Sequence, residues 1–325
     1  MNFHLSFPIK KLTNEINYSD KLFFMGSCFA ESIGTLTQQY KFNSIINPHG
    51  ILYNPASIKT ALIRYTTNTQ VNADELFYAN DSWNSWEHHS RYSNPEKTTC
   101  INTINEHISN AHEQLKKTEW MFITFGSAFI YSLNGTNKRV GNCHKVPQKE
   151  FSKTMLTVSE IISEYDLLLR QLKEINTNLK VVFTVSPVRY VRDGVIENTL
   201  SKARLIEATH TIVATHSNSF YFPAYELMMD DLRDYRFYKT DLVHPTEQAI
   251  EYIFEKLVET TFSNESKLTL EKVKDILKAT QHSAFNSNSE SFIKFKRTYA
   301  ERCKQLQKEY SFLDLSSEIE YFEWK

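Results

Sequence analysis

The stretch Lys21-Leu-Phe-Phe-Met-Gly-Ser-Cys-Phe-Ala-Glu-Ser-Ile-Gly34 constrains the fold more than any other. Leu22 to Met25 is a short apolar run of the kind a buried strand shows, and Gly26 passes the chain to a helix opening near Ser27 or Cys28. A strand ending in Gly-Ser at a helix start holds the hydroxyl at the carboxyl edge of a sheet, where N–H groups and the positive helix end favour an oxyanion. Taken alone, Ser27 is more simply a helix N-cap. A catalytic partner is what separates the two readings.

That partner lies in Tyr238-Lys-Thr-Asp-Leu-Val-His-Pro-Thr-Glu247. Asp241 and His244 sit three residues apart, before Pro245 and the periodic run Ala249, Ile250, Ile253, Phe254, Leu257, which reads as a helix with proline at its first turn. A carboxylate at this spacing holds one imidazole nitrogen and frees the other to take a serine proton. Each motif by itself reads as a loop cap. Together they spell Ser27, His244 and Asp241 as a triad.

Gly-Ser-Cys-Phe-Ala at 26–30 is the signature from which the GSCFA family takes its name, and Asp241-Leu-Val-His244-Pro resembles the last block of the SGNH (GDSL-like) hydrolases. Asn47-Pro-His-Gly-Ile-Leu-Tyr-Asn-Pro55, Phe125-Gly-Ser-Ala, Asn142-Cys-His-Lys-Val-Pro147 and Asp231-Leu-Arg-Asp-Tyr-Arg-Phe-Tyr238 are similar to the same family, over roughly residues 3–262. The resemblance implies a serine esterase or acyl hydrolase on a flavodoxin-like, doubly wound parallel sheet. It also implies that Gly50 supplies a second oxyanion N–H besides that of Ser27. The better-known SGNH pattern has Gly-x-Asn-Asp at its third block, whereas no asparagine follows Gly126 here. Ser127, a backbone N–H or Asn142 is left to replace it.

Two rival chemistries start from the same residues. Cys28 beside Ser27, or Cys143 beside His144, invites a thiol nucleophile, although Cys28 one residue into the helix turns about 100° away from Ser27, toward the core. Paired His88 and His89 invite a metal, yet adjacent residues on a strand face opposite ways. No metal or cofactor is therefore expected. The region 74–98, dense in Trp83, Trp86, His88, His89, Arg91 and Tyr92, reads as a long functional loop, an aromatic wall or lid. Trp86, His88 and His89 there, with His144 from the turn-rich 140–147 segment, are the substrate-binding candidates, and a satellite hydrophobic cluster is the alternative reading of the loop.

Alternating strands and helices through residue 262 argue for a parallel, doubly wound sheet. Strands are expected at 42–47, Trp120–Phe125, 179–188 and 220–225, and helices at 55–65, 104–115, 151–176 and 201–217. Phe3, Leu5, Phe7 and Ile9, at a period of two, suggest an added edge strand. The organisation expected is a hydrolase domain over 1–262 and a helical extension over 263–325, with helices at 268–280 and 291–307. The 37 Lys and Arg against 38 Asp and Glu, a net charge of -1, single out neither nucleic acid nor an anionic membrane as partner. Four scattered cysteines without C-x-x-C spacing argue against a zinc ribbon or disulfide scaffold. With no leader-like N-terminus and no membrane-length apolar run, the chain reads as cytoplasmic, although export after leader removal would leave the same sequence. The expected substrate is a small-molecule or glycan acyl ester. Hydrolysis and acyl transfer would use the same residues, a non-catalytic binding module on this fold is the third reading, and the oligomeric state is not legible.

Overall fold

The computed structural model describes residues 5–282, 285–286 and 289–323. Its strands, in chain order, are β1 Leu22–Gly26, β2 Ser44–Ile46, β3 Leu76–Ala79, β4 Ser82–Ser85, β5 Trp120–Phe125, β6 Phe129–Leu133, β7 Arg139–Val140, β8 Phe151–Met155, β9 Lys180–Val185 and β10 Ser219–Tyr221. Five of them form the central sheet in the order β2-β1-β5-β9-β10, all parallel. The apolar runs of β1, β5 and β9 are buried along nearly their whole length, as strands covered on both faces must be.

Alternation inside each strand divides the core in two. Phe23 and Met25 face one cluster with Met121, Ile123, Val181 and Phe183, against helices α2 Pro55–Thr67, α3 Lys97–Leu115, α4 Val158–Ile175 and α5 Val195–Thr215. Leu22 and Phe24 face the other with Trp120, Phe122 and Val182, against α1 Cys28–Gln39 and α6 Glu247–Thr261. The C-terminal helices α7 Asn264–Thr280, α8 Glu290–Glu309 and α9 Ser316–Glu323 join this second cluster through Leu270, Val273, Cys303, Leu306 and Phe322. The strand order reverses between β1 and β5, whose partners Gly26 and Thr124 stand in register, so a crevice opens beyond their carboxyl ends.

Several local expectations change. The 151–176 helix begins only at Val158, where Thr157 and Glu160 form a reciprocal capping box. Residues Phe151–Met155 instead pair with β6, which also takes β7, into a three-stranded antiparallel sheet beside the crevice. The 74–98 region is not a structureless loop, because β3 and β4 form a hairpin around Asn80 and Asp81, both left-handed (φ 51° and 57°). Thr246, not Pro245, caps α6, with Pro245 one residue outside. Phe3 lies outside the described residues, and Leu5, Phe7 and Ile9 are in no strand among them; the lead-in runs along the end of α6, Leu12 N–H bonding the Thr260 carbonyl and Ile16 N–H that of Thr261. No helix among the described residues is long and apolar enough to cross a membrane.

Candidate active site

Gly26 makes the β1-to-α1 turn at φ 132°, and a side chain on it would stand 2.1 Å from the Thr124 carbonyl oxygen. Only glycine fits there. Ser27 follows at the N-cap of α1 with extended backbone, but its hydroxyl makes no capping bond. The residue is 1% exposed and Oγ has no hydrogen-bond partner among the described residues. An ordinary N-cap serine accepts from the first turn, so the simpler reading fails on geometry. Leaving a buried hydroxyl unpaired costs about 1–3 kcal/mol, a cost that calls for a functional cause.

The loop after residue 237 is tied at both ends: Tyr238 bridges Pro245, Lys239 N–H bonds the His244 carbonyl at 2.7 Å, and Thr246 N–H bonds that of Phe237 at 2.8 Å. Within it, Asp241 Oδ2 lies 2.7 Å from His244 Nδ1, while Oδ1 accepts the N–H groups of Val243 and His244. The His244 and Val243 main-chain donors, and then the imidazole, lower the carboxyl to about 2. The loop docks on the exit of β9, where Arg189 N–H bonds the Val243 carbonyl at 3.2 Å and its guanidinium covers the Tyr238 ring at 4.2 Å. Asp230 pairs with Arg233, and Asp234 with Arg236, at the surface before this loop. The dyad is assembled, but the imidazole makes no bond to Ser27 Oγ.

The backbone donors expected for an oxyanion are committed. Ser27 N–H bonds Thr124, Gly50 N–H bonds Asn47, and Gly126 and Ser127 N–H both bond the Tyr53 carbonyl. Ser127 Oγ accepts the Phe129 N–H. Asn142 keeps an uncommitted Nδ2 while its Oδ1 takes the His144 N–H. A donor the sequence did not single out is tied to Gly26, the residue before Ser27: Asn47, fully buried and left-handed (φ 43°), accepts the Gly26 N–H on Oδ1 at 2.8 Å, and its buried Nδ2 has no partner among the described residues. Its signal was Asn-Pro after a strand, a turn-former rather than a recognised site.

Lys202 is 1% exposed. Its Nζ donates at 2.7 Å to the carbonyls of Gly126 and Ser186, joining the ends of β5 and β9 beneath the crevice, and burial pushes its amine down to about 7. The sequence carries the signal: Asn198, Lys202, Leu205, Thr209 and Ile212 form one buried stripe of α5. Cys28 is half-buried, and burial raises its thiol despite Lys202 and the N–H groups of Cys28 and Phe29 nearby. Cys143 is raised by burial too, and His144 donates no help, since its Nε2 faces the Ser85 carbonyl and its Nδ1 has no partner among the described residues. Neither cysteine has the environment of a thiolate.

Beside Ser127 and Gly126 runs a cleft of about 620 Å³ lined by Tyr53, Phe129, Tyr131, Asn142, Tyr190 and Arg192 among others. Ser27 Cβ and the Tyr53 ring lie 3.3 and 3.4 Å from where a Gly126 side chain would stand, so the cleft borders the serine without including it or His244. Of the substrate-binding candidates, His89 and His144 line this cleft. His88 does not: it is 1% exposed, stacked on His49 at 3.9 Å, with Nδ1 on Ser85 Oγ. Trp86 stacks on Phe77 and packs edge-on against Phe151, forming a wall behind the cleft. His88 and His89 therefore turn to different neighbours and share nothing, as His89 Nδ1 accepts the Arg91 N–H.

Comparison with known proteins adds two matches. A family model described as "GSCFA family" matches residues 21–257, and one described as "GSCFA domain protein, C-terminal domain" matches residues 273–325. No curated protein matches the chain.

Proposed function

The chain belongs to the GSCFA family, and on that premise we propose that it is a serine ester hydrolase of SGNH type on a flavodoxin-like sheet. The observation that carries the reading is the Ser27 hydroxyl, buried at the switch of strand order and without a hydrogen-bond partner among the described residues, while an Asp241–His244 dyad stands preassembled on a loop that docks at the exit of β9. In this scheme Ser27 Oγ attacks the ester carbonyl carbon as His244 Nε2 takes its proton. Asp241 holds the opposite nitrogen and balances the imidazolium charge. The tetrahedral oxyanion is met by side-chain amides, Asn47 or Asn142, one donor of this kind being worth about 3 kcal/mol of barrier. His244 then protonates the departing alkoxide, and water, deprotonated by His244, releases the acid and restores Ser27.

Closure of the Ser27–His244 gap is a step this scheme requires. The same gap, with Oγ shielded from solvent, favours the second reading, a ligand-binding module without chemistry. Hydrolysis of short p-nitrophenyl esters by the wild type, Ser27→Ala, His244→Ala and Cys28→Ala decides between them. Activity abolished by the first two substitutions and kept by the third is the expected result. Activity that survives Ser27→Ala overturns the scheme, and a wild type inert toward every ester favours the binding module.

A further inference from the structure

The cleft beside Ser127 has a composition the ester chemistry does not require. Its lining contains the rings of Tyr53, Phe129, Tyr131, Phe151 and Tyr190, two cationic side chains, Lys145 and Arg192, and no aspartate or glutamate. In a chain with 37 basic and 38 acidic residues, this concave lining carries cations and no carboxylate.

Both cations are unspent. Other arginines of the chain have acidic partners, as in Arg91–Glu31, Arg233–Asp230 and Arg236–Asp234. Arg192 and Lys145 have neither an ion pair nor a side-chain hydrogen bond among the described residues. Asp193, the acid next to Arg192 in sequence, is taken by Lys153. The Arg192 guanidinium lies within electrostatic reach of Cys143 and Tyr131, both of which burial raises on balance, with Asp193 opposing Arg192 at Tyr131.

The turn that carries Lys145 is held in place at a cost. His144 and Lys145 are successive left-handed residues (φ 47° and 59°), a conformation that costs about 1–3 kcal/mol per side-chain-bearing residue. Three bonds fix it: His144 N–H to Asn142 Oδ1 at 2.8 Å, Asn80 Nδ2 to the His144 carbonyl at 2.7 Å, and Val146 N–H to the Cys143 carbonyl at 2.9 Å. Strain of this kind persists where a side chain must be presented at one place. On the opposite wall the Lys153 ammonium sits 4.1 Å from the Phe129 ring centre and within 6 Å of Tyr131 and Tyr190, gathering the three rings into one platform.

We propose that this cleft binds a sugar that carries a negative charge, its ring laid on the aromatic platform and its anion held between Arg192 and Lys145. Pyranose C–H faces suit aromatic rings, the amides of Asn142 and Gln148 suit hydroxyls, and a guanidinium fork suits a carboxylate or phosphate. Within the hydrolase reading, on which only the ester part of this statement rests, the substrate is an O-acylated acidic saccharide whose acyl group reaches past Ser127 toward Ser27.

Calorimetric titration of the full chain carrying Ser27→Ala tests the cleft apart from the chemistry. The probes are glucuronic acid, glucose 6-phosphate, glucose and adenosine 5′-phosphate. Both acidic sugars should bind at least about tenfold more tightly than glucose, with the advantage shrinking in high salt. Preference between the two identifies the anion as carboxylate or phosphate. Arg192→Gln should erase the preference about tenfold, and Lys145→Gln should lower it less, both with unchanged thermal midpoints because both side chains are exposed. Equal binding of glucose, no binding of any sugar, tighter binding of the nucleotide, or a preference untouched by Arg192→Gln overturns the proposal. Turnover of p-nitrophenyl esters by the wild type is independent of all four outcomes, so the two readings fail separately.

Discussion

One carboxylate of Asp241 grips His244 twice: Oδ2 meets the imidazole Nδ1 at 2.7 Å, and Oδ1 receives the main-chain N–H of the same residue at 3.0 Å. The ring orientation is therefore set before any substrate arrives. Asp241→Asn keeps the size but offers an amide donor where the imidazole N–H needs an acceptor, favouring the wrong tautomer. Steady-state kinetics should show kcat lowered about a thousand- to ten-thousand-fold. The thermal midpoint should barely move, because both side chains are half-exposed.

Gly26→Ala is expected to be among the most damaging single-atom-scale changes in the chain. The new methyl would meet the Thr124 carbonyl at 2.1 Å in a left-handed backbone, and β5 is too well packed to retreat. A loss of about 3 kcal/mol or more in urea unfolding is expected. A loss below about 1 kcal/mol would mean that the β1–β5 contact is looser than its register implies.

Lys202 gives the protein an alkaline gain in stability. Its folded value is about 7 against 10.5 for the free amine, so between those limits the unfolded chain binds more protons and stability rises with pH. Comparing wild type with Lys202→Met by chemical unfolding from pH 7 to 10.5 should reveal this slope in the difference. A flat difference would show Lys202 charged throughout, held so by the carbonyls of Gly126 and Ser186.

The stacked pair His49 and His88 predicts the same sign of pH dependence in an acid window. Burial lowers both, His88 to about 3, with Arg64, His107 and His144 adding to the effect on His88. Stability is full above 6.5, where the unfolded imidazoles are neutral, and falls as pH drops from 6.5 toward 3. His88→Gln should flatten part of that fall in unfolding titrations. It should leave ester turnover near neutral pH within about threefold, since His88 does not line the cleft.

Asn47→Gly separates the amide from the backbone, because glycine accepts φ 43° without strain. If Asn47 Nδ2 meets the oxyanion, kcat should fall about a hundred- to a thousand-fold, beyond what a modest loss of stability explains. A drop confined to Asn142→Ala would assign the donor to the other amide.

Continuous apolar runs made the sheet legible: Trp120–Phe125 stands where its run predicts, and Leu22 to Met25 lie within β1. The strand at 151–155 was misread because Phe151-Ser-Lys-Thr-Met is amphipathic at either period over so few residues, and only its antiparallel partner β6 decides. The β3–β4 hairpin carried its turn signal in Asn80-Asp81, masked by the aromatic residues around it. Asp241 and His244 were legible because three-residue spacing on a loop is itself geometry. The state of the Ser27, Gly50, Gly126 and Ser127 N–H groups is not legible in the same way, since a sequence shows which N–H groups exist but not that the Thr124, Asn47 and Tyr53 carbonyls already hold them. His88 and His89 look alike in a row of letters; one packs on His49 and the other borders a cleft, a difference made by the fold of residues 47–50 against them.

The second core is closed by residues far from its strands, with Leu313, Leu315 and Phe322 packed into the cluster that holds Leu22 and Phe24. During synthesis, β1, α1 and β5 leave the ribosome long before the helices that cover them. The strands meet α1 early and α6 later, but the outer part of this cluster stays uncovered until α8 and α9 emerge, a window in which self-association competes with folding. Yield in the cell should thus be governed by the timing of the last helices and by chaperone supply, whatever ester or sugar the finished protein meets.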